Sequence, residues 1–307
     1  MPETEAYQIY FRITRGGTGI PYTLAKTEFL SVFESYSLNV IREYAVRRRM
    51  WVEMRLSPTE VKRLAPNLGY TGGILHQHFA PYEGELLSPV ETGRWYLGWV
   101  RQGDCKVYQT EVFAQDNASL LNESPDRREF ILQRDGQTTH AKGHHPRRAL
   151  SALDARFLLN VARIAPATRL LDAFAGYGGI IFEARRRGIR AFAADIEPTL
   201  APGLAALAPQ RYFIGDARSL PLQTQAVDTI VSEPPFRIRY RQAVMDALPE
   251  LRRVLKPHGR IILLIALDMR DALWAALEAM CARVREVQVI PRDSGMQCPV
   301  LDISFTE

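Results

Sequence analysis

A glycine-rich segment between an apolar strand and a helix constrains this chain more than any other feature. It reads LDAFAGYGGIIFEA over residues 171–184. Glycines lack side chains, so the backbone there can approach a ligand closely, and the first amides of the following helix point outward. Ligands of open α/β sheets bind at such strand ends. The segment therefore predicts a ligand site, although a tight turn alone would also favour these glycines.

The same segment disfavours a nicotinamide dinucleotide as the ligand. A dinucleotide fingerprint places a third glycine where this chain has Ile181, and it does not ask for an acid at the end of the strand, which here is Asp172. The sequence therefore favours another nucleotide-like ligand.

From Leu150 onward, apolar strands alternate with helical patterns, which predicts a parallel sheet covered by helices on both faces. The predicted strands are 169–173, 190–194, 212–214, 227–231, 260–265, 284–290 and 299–305. Only a short gap separates the last two, too short for a crossover helix, so we expect them to pair antiparallel.

The first part of the chain predicts a different, smaller domain. Its patterns alternate in the order strand, helix, strand, strand, helix, strand, which is the order of a ferredoxin-like α+β module. Residues 94–100 and 106–113 favour an added hairpin, and the polar stretch after them favours a connection. We therefore expect a ferredoxin-like domain that positions RNA at 1–113, a linker at 114–145 and the catalytic domain at 146–307.

Composition limits the partners without naming one. The 307 residues carry a net charge of +5 with a pI near 9.2, a modest excess that fits a polyanion and also fits many metabolic enzymes. Basic clusters lie at Arg47–Arg49 and His144–Arg148, and a solvated surface explains them as well as nucleic-acid contact does. The three cysteines and six histidines show no metal-ligand spacing, so we expect no metal. No apolar run predicts a membrane span and the start lacks a signal pattern, so we expect a cytoplasmic protein.

Three acids end three successive predicted strands. Asp195 follows Asp172 by 23 residues, close to the spacing at which an acid accepts hydrogen bonds from ribose hydroxyls, and Asp216 ends the third strand. Each acid alone is more often a helix cap or a loop residue. Their repetition at one sheet edge favours a shared ligand with ribose and base groups.

The fourth predicted strand runs into Ser-Glu-Pro-Pro-Phe at residues 232–236. Two prolines stiffen this turn and remove two N–H donors, which leaves carbonyls free to accept from a substrate amine. Phe236 offers a face on which a base can stack. A plain turn with a packed phenylalanine is the alternative.

Together the segments DAFAGYGGIIFEA, AADIEP, GDARSLP and SEPPF resemble motifs I to IV of the amino methyltransferases, which methylate exocyclic nitrogens of nucleobases. Residues 147–162 are similar to the lead-in of the tRNA guanosine-10 N2-methyltransferases, whose N-terminal part combines a ferredoxin-like domain with a THUMP domain. The resemblance is specific over residues 147–236, and a full THUMP domain is not evident. It implies the class I, Rossmann-like, seven-stranded fold and S-adenosylmethionine (SAM) as the cofactor.

The resemblance also implies roles for individual residues. The SAM pocket would be lined by Asp172, Phe174, Gly176 and Gly178, with Asp195 on the ribose and Asp216 on the adenine. The target base would be held by Glu233, Pro234, Pro235 and Phe236. One position departs from the family, which has Asp, Asn or Ser where this chain has Glu233.

The sequence thus predicts a SAM-dependent N-methyltransferase for an exocyclic amine in structured RNA, with N2 of guanosine in tRNA as the expected target. Two alternatives stay open: an adenine-N6 or other DNA methyltransferase, which uses the same site, and an inactive homologue that binds SAM and RNA. The modified nucleotide, the number of methyl groups added and the oligomeric state do not follow from the sequence.

Overall fold

The computed structural model describes residues 4–11, 14–15, 18–35, 40–46, 49–64, 67–76, 90–91, 96–102, 105–112, 150–292 and 295–305. The chain divides into two compact units, Met1–Leu120 and Leu121–Glu307. The predicted linker at 114–145 and the basic residues 47, 48 and 144–148 lie outside the described residues.

The first unit is an α+β fold built on a seven-stranded antiparallel sheet. Its helices are α1 (Tyr22–Val32) and α2 (Pro58–Leu64). Its strands are β1 (Glu5–Phe11), β2 (Thr14–Arg15), β3 (Thr18–Gly19), β4 (Val40–Val46), β5 (Arg49–Leu56), β6 (Thr71–His76), β7 (Val90–Glu91), β8 (Tyr96–Gln102) and β9 (Cys105–Val112). Seven of them form the sheet in the order β4-β5-β1-β6-β9-β8-β7.

Apolar periodicity explains how α1 packs. Leu24, Phe29 and Phe33 are buried, and the last two rings stack with their centroids 4.8 Å apart. Glu28 is also buried, and its carboxylate accepts the backbone N–H groups of Gly69 (2.8 Å) and Tyr70 (2.6 Å). These bonds compensate for the burial of the carboxylate and connect the two residues before β6 to the helix.

The predicted order of strand, helix, strand, strand, helix, strand is present in this unit, with the tiny hairpin β2–β3 added before α1. The predicted added hairpin is present as β8–β9. Because β9 pairs with β6, this hairpin extends the main sheet of the unit. The ferredoxin-like assignment stays a prediction.

The second unit is a helix-covered sheet. Its helices are α3 (Ala152–Val161), α4 (Gly179–Arg186), α5 (Ala201–Leu207), α6 (Arg241–Val254) and α7 (Arg270–Ala279). Its strands are β10 (Arg169–Asp172), β11 (Arg190–Asp195), β12 (Tyr212–Ile214), β13 (Val227–Ser232), β14 (Leu255–Leu264), β15 (Ala282–Pro291) and β16 (Gln297–Phe305). They lie in the order β12-β11-β10-β13-β14-β16-β15.

This topology confirms the predicted Rossmann-like class. β10 to β14 are parallel, whereas β16 runs antiparallel between β14 and β15, as the short gap before it predicts. The strand order reverses between β10 and β13, and ligands of open α/β sheets bind in the crevice at such a reversal. The fold therefore directs attention to the carboxyl ends of β10 and β13.

Candidate active site

The carboxyl ends of four neighbouring parallel strands carry the candidate residues. Asp172 ends β10, Asp195 ends β11 and Ser232 ends β13, while Asp216 follows β12 by two residues. The Gly215 amide donates to the Asp195 carbonyl (2.9 Å), which joins the ends of β11 and β12. The three predicted acids therefore share one edge of the sheet.

Asp172 links the two strands that flank the reversal. Its carboxylate is buried and accepts from the Ser232 hydroxyl (2.8 Å) and from the Phe174 amide (3.2 Å). The same Ser232 oxygen accepts from the Ala173 amide at 2.9 Å. A serine at the end of an apolar strand is a sequence signal for this contact, although the sequence-based prediction assigned no role to Ser232.

Burial raises the pKa of Asp172 from its usual 3.8 to about 7. The hydrogen bonds from Ser232 and Phe174 oppose the shift, while the negative charges of Asp195 and Glu233 add to it. Asp172 therefore feels the negative charges of Asp195 and Glu233 as well as its own burial.

The glycine loop between β10 and α4 requires glycine at two positions. Gly176 (φ 52°) and Gly178 (φ 74°) both adopt the left-handed backbone region, which side chains disfavour. The Gly176 amide donates to the Asp195 carboxylate (2.7 Å), and the Ala175 amide donates to the Ala194 carbonyl (2.8 Å). Asp195 therefore also shapes the loop, beyond the role predicted for it.

The helix behind the loop is held by close packing and by buried charge. A Cβ on Gly179 would lie 3.0 Å from the Leu150 carbonyl oxygen, so α4 starts directly against the entry to α3. Arg156 of α3 pairs with Glu183 of α4 at 3.0 Å, and both side chains are almost fully buried. Burial alone would raise the pKa of Glu183, but Arg156 and Arg186 outweigh it and hold this pKa at about 2.

Asp216 has a partner of its own. Its carboxylate accepts from the Arg218 amide (2.9 Å) and pairs with the Arg218 guanidinium (2.5 Å), whose hydrogen bonds lower the pKa of Asp216. The contact to adenine stays a prediction, and such a contact would have to share the carboxylate with Arg218.

The Glu-Pro-Pro-Phe segment leaves β13 at the same edge. Pro234 is buried, whereas Glu233, Pro235 and Phe236 are partly exposed. The Glu233 carboxylate forms an ion pair with the Arg292 guanidinium, with 2.5 Å between the Oε1 and Nη1 atoms. The segment predicted to hold the target base therefore already carries a charged partner.

Arg292 is the functional candidate that sequence reasoning missed. It lies just after β15, pairs with Asp154 of α3 at 3.1 Å, and its guanidinium carbon is 5.3 Å from the centre of the Phe236 ring. Burial alone would lower the pKa of Arg292, but Glu233 and Asp154 raise it above its usual range. A single arginine in a hairpin turn gives no sequence signal, since only the fold brings it to β13.

The residues at this edge fit SAM. A Cβ built on Gly176 in the glycine loop would meet only the Phe174 carbonyl oxygen, at 4.0 Å, and one built on Gly215 after β12 would meet nothing within that distance, so both positions border open space. Around it, backbone amides, the half-buried Phe174 ring and carboxylates suit a ligand with ribose, base and a positive sulfur. No group of three or more metal-ligating side chains occurs within the described ranges, and none of the helices described there is long and apolar enough to cross a membrane.

The second unit has the class I, Rossmann-like methyltransferase fold, and the residues at its carboxyl edge suit SAM. Residues 171–263 match the family model described as "Methyltransferase domain". This range begins one residue before Asp172 and ends within β14, so it spans the glycine loop, the strand-end acids and the Glu-Pro-Pro-Phe segment.

Individual relatives agree on methyl transfer and differ in substrate. A tRNA (guanine(10)-N2)-dimethyltransferase of Methanothermobacter thermautotrophicus is 37% identical over 91 residues, 27% of this chain and 26% of that protein. An uncharacterised methyltransferase of Mycobacterium tuberculosis is 31% identical over 140 residues, 45% and 51% of the two chains. A ubiquinone/menaquinone biosynthesis C-methyltransferase of Cereibacter sphaeroides is 37% identical over 108 residues, 32% and 42%. The chain thus spans between a quarter and about half of the length of these relatives. The match to the methyltransferase family model confirms the predicted cofactor, SAM.

Replacing Asp195 by alanine should weaken SAM binding about tenfold or more, because the variant loses a charged acceptor for the ligand and for the glycine loop. Calorimetric titration of the full chain with SAM measures this. Asp228→Asn is the matched control, since Asp228 lies near the amino end of β13 and pairs with Lys256 there. Equal SAM affinity in wild type and Asp195→Ala would remove Asp195 from the cofactor site.

Proposed function

We propose that this protein is a SAM-dependent N-methyltransferase that modifies an exocyclic amine of a base in structured RNA, with N2 of guanosine in tRNA as the first target to test. The observation that carries this proposal is the Glu-Pro-Pro-Phe segment at the carboxyl end of β13, at the same sheet edge as the acids that suit SAM. The similarity to the tRNA (guanine(10)-N2)-dimethyltransferase supports the choice of guanosine.

The proposed chemistry needs orientation more than acid–base help. Bound SAM would supply a methyl group on a positively charged sulfur: the C–S bond breaks as the N–C bond forms, the sulfur leaves as a neutral thioether, and one amine proton passes to the Glu233 carboxylate. The protein has to place the amine nitrogen in line with that methyl group and keep water away. Glu233 and the Pro234 carbonyl would accept the two amine hydrogens, which turns the nitrogen lone pair toward the methyl group.

The same segment would hold the base. Pro234 and Pro235 carry no N–H groups, so they present carbonyls without competing donors and limit the backbone freedom of the turn. The partly exposed Phe236 ring would stack on a base taken out of its helix, as enzymes that modify bases require.

In this proposal the first unit positions the RNA. The strand order β4-β5-β1-β6, with α1 and α2 as the connecting helices, supports a ferredoxin-like module extended by the β8–β9 hairpin. The basic cluster at 47–49, partly outside the described residues, supports contact with phosphate groups.

Two other functions fit part of the observations. A DNA amino methyltransferase would use the same Glu-Pro-Pro-Phe segment. The relative from ubiquinone and menaquinone biosynthesis favours C-methylation of a small molecule instead, although it matches only 32% of this chain. Both differ from our proposal in the product, so product analysis separates them.

We expect the full chain to transfer methyl groups from SAM to unmodified tRNA and to leave DNA unmodified. The test incubates the protein with deuterated-methyl SAM and either total unmodified tRNA or DNA, digests the product to nucleosides and identifies them by mass spectrometry. Labelled N2-methylguanosine or N2,N2-dimethylguanosine supports the proposal. Label in DNA adenine, or SAM binding without label in any RNA, would overturn it.

A further inference from the structure

One arginine contacts two residues of the segment proposed to hold the target base and a buried aspartate of α3. The Arg292 guanidinium pairs with Glu233, pairs with Asp154 and lies over the Phe236 ring. We propose that Arg292 is a positioning residue that fixes the Glu233 carboxylate for the target amine. This inference rests on the proposed function and adds to it the residue on which Glu233 depends.

The need for such a residue follows from the length of the glutamate side chain. Amino methyltransferases have Asp, Asn or Ser at this position, and Glu233 adds one methylene group and one rotatable bond to the aspartate side chain. A freely rotating carboxylate would lose conformational entropy each time it bound an amine. The ion pair with Arg292 limits that freedom before the substrate arrives.

Arg292 is itself held on its far side. Asp154 has no exposed side-chain surface, and its carboxylate pairs with the Arg292 Nη2 atom. The backbone of Arg292 is fixed as well, since its amide donates to the Met296 carbonyl at 2.8 Å and closes the hairpin. Arg292 is therefore held both by its backbone and by its guanidinium group, as a positioning residue requires.

Burial makes this ion pair stronger than one on the surface. The Glu233 and Arg292 side chains are 18% and 19% exposed, respectively. Screening by water is weaker at such burial, so opposite charges attract more strongly than in exposed pairs. The guanidinium above Phe236 adds a cation–π contact that orients the ring next to Glu233.

The test is a double-mutant cycle measured as single-turnover methylation of RNA by the full chain. Arg292→Met should lower the rate about tenfold and leave SAM affinity within about twofold, because it acts through Glu233 and not through the cofactor. In a Glu233→Ala background the same substitution should change the rate less than about twofold, because its partner is gone. Arg285→Met is the control, since Arg285 is an exposed residue of β15 paired with Asp302, and its rate should equal that of wild type.

A second variant covers the risk that Arg292→Met destabilises the fold. Arg292→Lys keeps one positive charge but cannot form the two-sided contact, so we expect a rate between those of wild type and Arg292→Met. If the wild-type protein methylates RNA and both Arg292 variants are as fast, the role of Arg292 is wrong while the proposed function stands. Rate effects that multiply fully in the double mutant would overturn the role of Arg292 in the same way. A wild-type protein that binds SAM and methylates no RNA would overturn the proposed function, and the role of Arg292 with it.

Discussion

Between pH 4 and pH 8 the wild-type chain is expected to lose about 4 kcal/mol of unfolding free energy that the Asp172→Asn variant keeps. The cause is the carboxyl group of Asp172, which is buried at the cofactor edge and has its pKa raised from 3.8 to about 7. Each pKa unit of difference between folded and unfolded states corresponds to about 1.4 kcal/mol. The asparagine side chain would keep an oxygen that accepts from Ser232 and Phe174, but it carries no titrating proton.

The direction of this effect follows from proton binding. Below the unfolded pKa of 3.8 both states hold the proton, so Asp172 costs nothing. As pH rises toward 7 the unfolded chain releases the proton while the folded chain retains it, and the free energy of unfolding falls. Above 7 both states are ionised and the loss is complete.

Urea denaturation at several pH values measures the effect, with pulsed hydrogen exchange of peptides from β10 and β13 reporting the second unit. The difference between wild type and Asp172→Asn isolates this residue from the other carboxyl groups that titrate over the same range. A difference that stays constant from pH 4 to pH 8 would show that Asp172 is ionised in the folded chain like an ordinary aspartate.

Replacing Glu233 by alanine is expected to slow single-turnover methylation about a hundredfold, near 2.7 kcal/mol, with SAM affinity unchanged. The proposed function uses the Glu233 carboxylate to hold the target amine, and the structure places it 2.5 Å from Arg292 at the edge of the site. Alanine removes the acceptor and leaves Arg292 without this partner. Rapid-quench measurement of methyl transfer to RNA, together with calorimetry for SAM, separates the two effects.

Two further substitutions show what Glu233 contributes. Glu233→Gln keeps an acceptor oxygen and should slow the reaction less than alanine does. Glu233→Asp restores the shorter family side chain, which loses reach toward Arg292, so we expect a slower enzyme than wild type. An alanine variant as fast as wild type would show that the Pro234 carbonyl and Phe236 suffice. Turnover by the Asp variant alone, with none by wild type, would mark Glu233 as the change that silenced an ancestral enzyme.

Local sequence determined most of the second unit. The alternation of apolar strands and helices predicts all seven strands of the second sheet and the antiparallel last pair, because period and connection length are local properties. The glycine loop and the acids at 172, 195 and 216 mark the carboxyl edge for the same reason, since residues that follow parallel strands meet at one edge.

Only the tertiary structure decided which side chains pair across that edge. Ser232 binds Asp172 because the chain crosses over to place β13 beside β10, 60 residues later. Arg292 follows β15, and the pairing of β16 with both β14 and β15 brings this turn next to Glu233 and Asp154. Arg292 lies 138 residues after Asp154 in the chain. Such partners are set by sheet order and long-range packing, which leave no periodic signal in the chain. The sequence determined where the site lies, and the packing of distant elements determined which charges act within it.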